Sequence, residues 1–285
     1  MSVFESLQVA IQYVVPQHLL SHLVRRIARF EHARIVPAAI RCFMRHYPVD
    51  LSEALETDFT RYVSFNHFFT RALRPGSRPM PEVPHAVACP CDGTLSQLGA
   101  IAGDTLVQAK GRHYGLPALL GGETELARRF HGGAFATIYL APQNYHRVHS
   151  PLAGRVLRAI YVPGALFSVN EKTTRHVPNL FARNERVIVL LETELGQIAV
   201  ILVGAMLVGF MELVCADLPA QVQDAQGPVQ LALGATRALE RGEELGRFNM
   251  GSTVILLFEC DRIRWREDLQ PGAAIRLGAA IAVPP

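Results

Sequence analysis

The chain has 285 residues, enough for one large domain or two modest ones and for a sizeable core. Hydrophobic residues at 49% and charged residues at 19% exclude a disordered chain and a highly charged coiled coil. The formal charge of +3 is too small to mark a nucleic-acid binder, and all of it lies in the first fifty residues, where six arginines outnumber Glu5, Glu31 and Asp50.

Residues 1–50 read as amphipathic helices. Phe4, Leu7, Ile11 and Val14 recur at helical spacing, as do Leu19, Leu23, Ile27 and Phe30, with Ser21, His22, Arg25, Arg26 and Arg29 on the opposite face. Pro16 and Pro37 cut the region into short pieces. An arginine-rich face opposite Leu, Ile and Phe suits a helix lying on anionic lipid, and it equally suits a helix packed on the protein's own core. The start of the chain lacks a basic n-region and carries Glu5, so no cleaved secretory signal is expected and cytoplasmic residence follows.

Residues 51–78 look helical and polar, with Phe65, Phe68 and Phe69 around Asn66 and His67. From Pro79 the character changes to short Val/Ile-rich runs punctuated by Pro and Gly. They are Thr94–Ile101, Ala134–Ala141, Gly154–Val162, Val187–Leu191, Ile198–Val203, Leu207–Cys215 and Thr253–Phe258. Residues 217–235 look loop-like. The expected class is α+β, with helices in front of a β-rich body. The uncharged stretch Ile198 to Met211 is 14 residues, short of the roughly 20 that span a bilayer.

Of 28 basic residues only Lys110 and Lys172 are lysines, so a lysine Schiff-base enzyme would have two candidates. The five cysteines (Cys42, Cys89, Cys91, Cys215, Cys260) form neither a disulfide framework nor a CxxC pair, and Cys89-Pro90-Cys91 has the wrong spacing for zinc. They read as structural, and no metal site is expected.

Three short elements could carry chemistry. Gly251-Ser252-Thr253 puts a hydroxyl after a glycine, whose backbone bends freely, at the edge of an apolar strand. Tyr145-His146-Arg147-Val148-His149 places two histidines three apart in a Pro-bounded loop after a strand, where both can reach one pocket as acid or base. Cys91-Asp92-Gly93-Thr94 is a turn whose carboxylate could orient a histidine. A strand entry, an exposed loop and a plain turn are the simpler readings of each. Together they supply acid, base and nucleophile.

With these runs the sequence resembles bacterial phosphatidylserine decarboxylase proenzymes nearly end to end. The resemblance extends through Ser96-Gln97-Leu98-Gly99, Gln108-Ala109-Lys110-Gly111, Tyr161-Val162-Pro163-Gly164, Phe167-Ser168-Val169-Asn170, Val177 to Arg186, and Gly246-Arg247-Phe248. Met250 stands where the family more often has leucine, a swap that conserves volume. The resemblance implies a compact sandwich or barrel-like domain over residues 51–285, behind a membrane-surface region over 1–50.

It further implies self-cleavage between Gly251 and Ser252, into chains of 251 and 34 residues that stay together as a heterodimer, and leaves a higher oligomer open. Asp92, His149 and Ser252 would form the cleaving set, with Asp92 orienting His149. Ser252 would become a pyruvoyl group that forms a Schiff base with the serine amine of phosphatidylserine and accepts the electron pair left by carbon dioxide. His146 would protonate the product, Lys110 would meet the lipid phosphate, and phosphatidylethanolamine would leave. The basic front then reads as peripheral attachment to an anionic membrane, on its cytoplasmic face. A pyruvoyl decarboxylase of another amino-acid headgroup, an uncut serine hydrolase with the same three residues, and a non-catalytic phosphatidylserine binder are the alternatives.

Overall fold

A computed structural model of the chain describes residues 3–109, 111–206, 211–219, 222, 224–249 and 252–285, with side chains from residue 9 onward. Lys110, Met250, Gly251 and residues 207–210 of the expected strand Leu207–Cys215 lie outside the described residues, as do the side chains of Phe4 and Leu7.

Three helices lead: α1 (Val3–Val14), α2 (Gln17–Ala28) and α3 (Ile35–His46). Residues 51–64 are not helical, apart from the 3-10 turn Phe59–Arg61. Side chains compete there for the amides a helix would use: Asp50 accepts from Ser52 N at 2.7 Å and Asp58 from Thr60 N at 2.9 Å. The helical periodicity survives only in α4 (Phe65–Phe69), capped by Ser64.

The β-rich body follows as β1 (Val87–Ala88), β2 (Gly93–Ala100), β3 (Thr105–Ala109) and β4 (Arg112–Gly115). Helices α5 (Leu116–Leu119) and α6 (Thr124–Phe130) precede β5 (Ala134–Leu140), β6 (Arg147–His149) and β7 (Gly154–Val162). After α7 (Glu171–His176) and α8 (Leu180–Arg183) come β8 (Arg186–Thr193), β9 (Gly196–Val203) and β10 (Met211–Leu213). The chain closes with β11 (Val229–Gln230), β12 (Ala238–Leu239), β13 (Glu244–Phe248), β14 (Ser252–Phe258), β15 (Arg264–Trp265), β16 (Ala274–Ile275) and β17 (Ala280–Val283).

Among the described residues the main sheet has nine strands, in the order β11-β7-β8-β9-β14-β5-β2-β16 with β12 also beside β7, and the strands pair antiparallel. Strand β14 is buried along its whole length between β9 and β5, and Val187–Leu191 and Ile198–Val203 are likewise buried on both faces. Continuous apolar runs rather than alternation are what such doubly covered strands need. A second small sheet, β10-β13-β6, carries the histidine segment.

Several residues of the family-like runs hold this frame together. Gln108, fully buried, donates to the Thr174 and Val177 carbonyls at 2.7 and 2.8 Å and accepts from Leu180 N at 2.7 Å. Arg186, also buried, donates to the carbonyls of Ala118, Leu119, Ala182 and Asn184 at 2.6–2.8 Å, tying the ends of α5 and α8 to β8. A smaller apolar cluster of Val36, Ile40, Val49, Leu51, Ala54, Tyr62 and Phe68 runs across the expected boundary at residue 50.

The amphipathic helix α2 is mounted with its apolar stripe outward. Its buried residues are Gln17, Ser21 and Ala28, whereas Leu19 is 70% exposed and Ile27 64%, with Leu23 and Phe30 beside them. Gln12 and Gln17 fasten the helical front to the body by accepting from Ser168 N and Leu166 N at 2.9 and 2.6 Å.

Candidate active site

Ser252 opens β14 and is paired with Leu140 of β5, while Thr94 of β2 is paired with Tyr139, the next residue of β5. The Ser252 and Asp92 segments therefore lie at the same end of the sheet with one strand between them, about 10 Å apart in backbone. Gly93 lets β2 come this close: a Cβ there would meet the Tyr139 carbonyl oxygen at 2.5 Å. Ser252 is 1% exposed, and among the described residues its Oγ has no hydrogen-bond partner. A buried hydroxyl without a partner costs about 1–3 kcal/mol, and among the described residues Ser252 Oγ shares this state with the Thr253 and Thr137 hydroxyls.

Asp92 has found partners other than the expected histidine. Its Oδ1 accepts from Arg78 Nε at 3.0 Å and Leu277 N at 2.8 Å, and its Oδ2 accepts from Arg78 Nη2 at 2.6 Å. Arg78 also donates to Glu53 at 2.8 Å; burial opposes its charge, but the bonds to Asp92 and Glu53 win and push its pKa up. The neighbouring thiols Cys89 and Cys91 are buried, and Cys89 Sγ donates to the Cys91 carbonyl at 3.1 Å. Burial pushes Cys89 up to about 12 and Cys91 well above its ordinary value, so both are inert thiols with a packing role.

The two histidines meet different partners: His149 closes the strand Arg147–His149, and His146 stands just ahead of it. His146 is fully buried, stacks on Phe69 at 4.0 Å between ring centroids, and turns Nε2 toward the Pro142 carbonyl at 3.4 Å. Its Nδ1 has no partner among the described residues. Burial, with the nearby Arg71 guanidinium adding to it, pushes its pKa down to about 3, so the ring is neutral at pH 7. Arg71 is itself buried, donates to the Gln143 and Asn144 carbonyls at 3.1 and 3.3 Å, and so holds the turn that presents His146.

His149 lies against Tyr145, whose hydroxyl is 3.0 Å from Nε2, and Gly242, whose carbonyl is 2.8 Å from Nδ1. Burial lowers its pKa, against the Gly242 hydrogen bond and the charges of Glu244 and Asp92, which raise it. Gly242 is in the left-handed region at φ +85, where a Cβ would also meet the Met80 sulfur at 2.5 Å. The register sets His149 opposite Glu244, and Phe248 N donates to the His146 carbonyl at 3.0 Å, so His146 is the one nearer the Phe248 end of β13. Asn249 accepts from Asn66 at 3.0 Å and donates to Glu212 at 3.1 Å, which anchors the chain just ahead of residues 250 and 251.

Asp92 and Ser252 thus lie at one end of the sheet, His149 feels the Asp92 charge, and His146 sits in the turn that follows β5, with Arg78, Arg71, Tyr145 and Phe69 as their neighbours. Tyr145 stands inside the histidine run Tyr145–His149, whereas Arg78 and Arg71 carry no local signal in the sequence. The front of the chain adds a cleft of about 570 Å³ lined by His22, Arg25, Arg26 and Arg29.

A family model for phosphatidylserine decarboxylase matches residues 65–283, and a second, described as PSD, matches residues 7–48. The chain is 50% identical over 275 residues to the phosphatidylserine decarboxylase proenzyme of Pseudomonas entomophila (strain L48), covering 96% of each chain. It is 47% identical over 282 residues to that of Shewanella sp. (strain ANA-3), covering 98% of this chain and 97% of the relative. Against the Bordetella pertussis proenzyme the identity is 49% over 282 residues, covering 98% of this chain and 95% of the relative.

Proposed function

The chain belongs to the phosphatidylserine decarboxylase family, and we propose that this carboxy-lyase, acting on phosphatidylserine, makes its own electron sink by cutting itself between Gly251 and Ser252. The observation that carries this reading is the Ser252 hydroxyl, buried at the head of the central strand β14 directly after Gly251 and without a hydrogen-bond partner among the described residues.

His149, neutral because it is buried, takes the Ser252 proton, and Oγ attacks the carbonyl carbon of Gly251. The peptide C–N bond breaks, the amine takes a proton, and an ester joins Gly251 to Ser252 Oγ. Removal of the Ser252 α-proton then expels the Gly251 carboxylate, and hydrolysis of the resulting dehydroalanine releases ammonia and leaves a pyruvoyl group at residue 252. Asp92 contributes through its charge, fixed near His149 by Arg78, rather than by a direct bond.

The pyruvoyl group supplies a carbonyl into which the electron pair left by departing carbon dioxide can move. The Ser252 position fits it, since a group there is enclosed and kept from bulk water. His146 returns a proton to the substrate carbon. It is neutral in the unbroken chain, held down first by burial and then by Arg71, so it must gain that proton with the substrate: an anionic headgroup placed against Arg71 offsets the second of these causes. Lys110 lies outside the described residues, and a role toward the lipid phosphate is proposed from its family run alone.

After cutting, the 34-residue chain would stay bound through β14, which is laddered to β5 and β9 along its length, and through β16 and β17. Among the described residues no helix is long and apolar enough to cross a membrane. The outward apolar stripe of α2, with Arg25, Arg26 and Arg29 on the same helix and its C-cap, supports peripheral docking on the anionic cytoplasmic leaflet.

Denaturing intact mass of the purified protein tests the reading. Two species are expected, the smaller beginning at residue 252 and carrying a pyruvoyl terminus in place of serine. A single full-length mass in material that releases carbon dioxide from phosphatidylserine would overturn self-cleavage.

A further inference from the structure

We propose that Gln12, in the helical front of the chain, is a positioning residue for decarboxylation: its side-chain amide fixes the Phe167-Ser168 segment where that segment crosses the head of β14. This rests on the reading above that residue 252 is the reacting position, and it assigns a residue which that reading leaves out.

The path of the segment follows from its two ends. Strand β14 lies between β9 and β5. On the β9 side, Gly204 follows Val203, the partner of Thr253, and a Cβ on Gly204 would meet Leu166 Cδ2 at 3.3 Å. On the β5 side, Val169 lines a cavity of about 540 Å³ together with Tyr139, also a partner of Thr253, and with Thr94 of β2 beyond it. Two strand spacings are about 10 Å, and the chain from Leu166 to Val169 reaches about 10 Å when extended. Phe167 and Ser168 therefore pass the end of β14, where residue 252 begins. Asn184, fully buried, holds the near side: it accepts from Phe167 N at 3.1 Å and donates to the carbonyls of Phe167 and Gly204, each at 2.8 Å.

The far side is held from the front. Gln12 in α1 lies 2.9 Å from Ser168 N, and a main-chain N–H only donates, so the amide oxygen faces it. Its Nε2 then donates to the Thr173 hydroxyl at 3.3 Å, which donates in turn to Asn170, the cap of α7, at 3.0 Å. One buried amide thus clamps both ends of the turn between Ser168 and Thr173. Tyr13, the next residue, sets its ring 4.9 Å from that of Phe167, and the Arg183 guanidinium lies 4.7 Å from the same Phe167 ring. Gln17 adds a parallel link, donating to the Gln12 carbonyl and accepting from Leu166 N, both at 2.6 Å. The wall beside residue 252 is thereby tied to the helices that carry the outward apolar stripe. Arg29 reaches Glu212 at 2.8 Å, so the front also has a hold on the body that does not pass through Gln12.

The test uses the mature full-length enzyme and short-chain phosphatidylserine dispersed below its micellar concentration, so that docking on a bilayer does not enter the rate. Carbon dioxide release is taken per cut chain, with the cut fraction read from intact mass. Gln12→Met fills similar space without a hydrogen bond. It should lower kcat about tenfold and change KM less than about threefold, because a small misplacement of reacting groups costs rate rather than affinity. Its binding to phosphatidylserine vesicles should match the wild type. Gln12→Glu keeps an acceptor for Ser168 N and should recover most of the loss.

A Gln12→Met enzyme with wild-type kcat on the dispersed lipid, slow only on vesicles, would make Gln12 an attachment of the front alone and overturn the proposal. A Gln12→Glu enzyme no faster than Gln12→Met would overturn it too. Should Gln12→Met fail to accumulate, Gln12→Asn, whose amide is one methylene short of Ser168 N, should lower kcat about threefold or more, and a wild-type kcat there rejects the assignment. A wild-type chain that releases carbon dioxide without cutting overturns the self-cleavage reading instead; rates per whole chain then still decide the role of Gln12.

Discussion

Asp92 and Arg78 form a two-point pair, with Nε to Oδ1 at 3.0 Å and Nη2 to Oδ2 at 2.6 Å, and both side chains are largely buried. Removing one partner strands a buried charge. Arg78→Met should therefore cost about 3–5 kcal/mol of stability. It should also slow cutting, because the Asp92 charge is no longer fixed near His149. Urea unfolding in a Ser252→Ala background measures the first effect and a gel time course the second. A stability loss below about 1 kcal/mol, the range of an exposed pair, would show that the pair does not anchor the site.

The two histidines are predicted to act in different steps. His149→Ala should leave the chain whole on a denaturing gel. His146→Ala should still cut, yet release carbon dioxide from phosphatidylserine about 100-fold more slowly, the lower range for loss of a general acid. A His149→Ala chain that matures normally would exclude His149 as the base.

Two buried groups give stability opposite pH slopes. His146 ordinarily titrates at 6.5 and is pushed down to about 3. As pH falls from 6.5 toward 3, the unfolded chain binds a proton that the folded chain refuses, and the stability of the neutral ring is lost. Glu185 ordinarily titrates at 4.5 and is raised by burial to about 7, with Tyr161 bonded to it. As pH rises from 4.5 to 7, the unfolded chain releases a proton that the folded chain retains, so stability falls in that direction. Each slope is about 1.4 kcal/mol per pH unit over its window. Urea midpoints against pH should show His146→Asn flattening the acid side and Glu185→Gln gaining most above pH 7. The reverse pattern would refute these assignments.

The outward stripe of α2 should bind lipid. Leu19→Glu with Leu23→Glu should weaken binding to vesicles containing phosphatidylserine by more than about tenfold, since each exposed side chain gives up its apolar transfer energy. The melting temperature should hold, because neither side chain is buried. Replacing Arg26 by Glu should weaken binding about fivefold or more, and less at high salt. Undiminished co-sedimentation of the leucine variant would return α2 to a role within the protein.

Local patterns in the sequence determined the strands. Gly154–Val162 is found with the expected bounds, and the runs at 94, 134, 187, 198 and 253 are strands within a few residues, because uninterrupted apolar segments between Pro and Gly have one way to be buried. The candidate site residues stood in short local runs, Gly-Ser, His-x-x-His and Asp-Gly, each with a simpler reading of its own, and their expected roles came from the family resemblance. Only the tertiary structure decided what those side chains meet. Arg78 lies 14 residues before Asp92 and Leu277 lies 185 after it; Gly242 lies 93 residues from His149. Hydrogen-bond partners and burial depend on which distant segments the sheet brings together, and no window of sequence contains that. Amphipathicity is the same case: the spacing of Leu19, Leu23 and Ile27 established a stripe, but its direction was set by Gln12 and Gln17 bonding the body and turning the apolar face out.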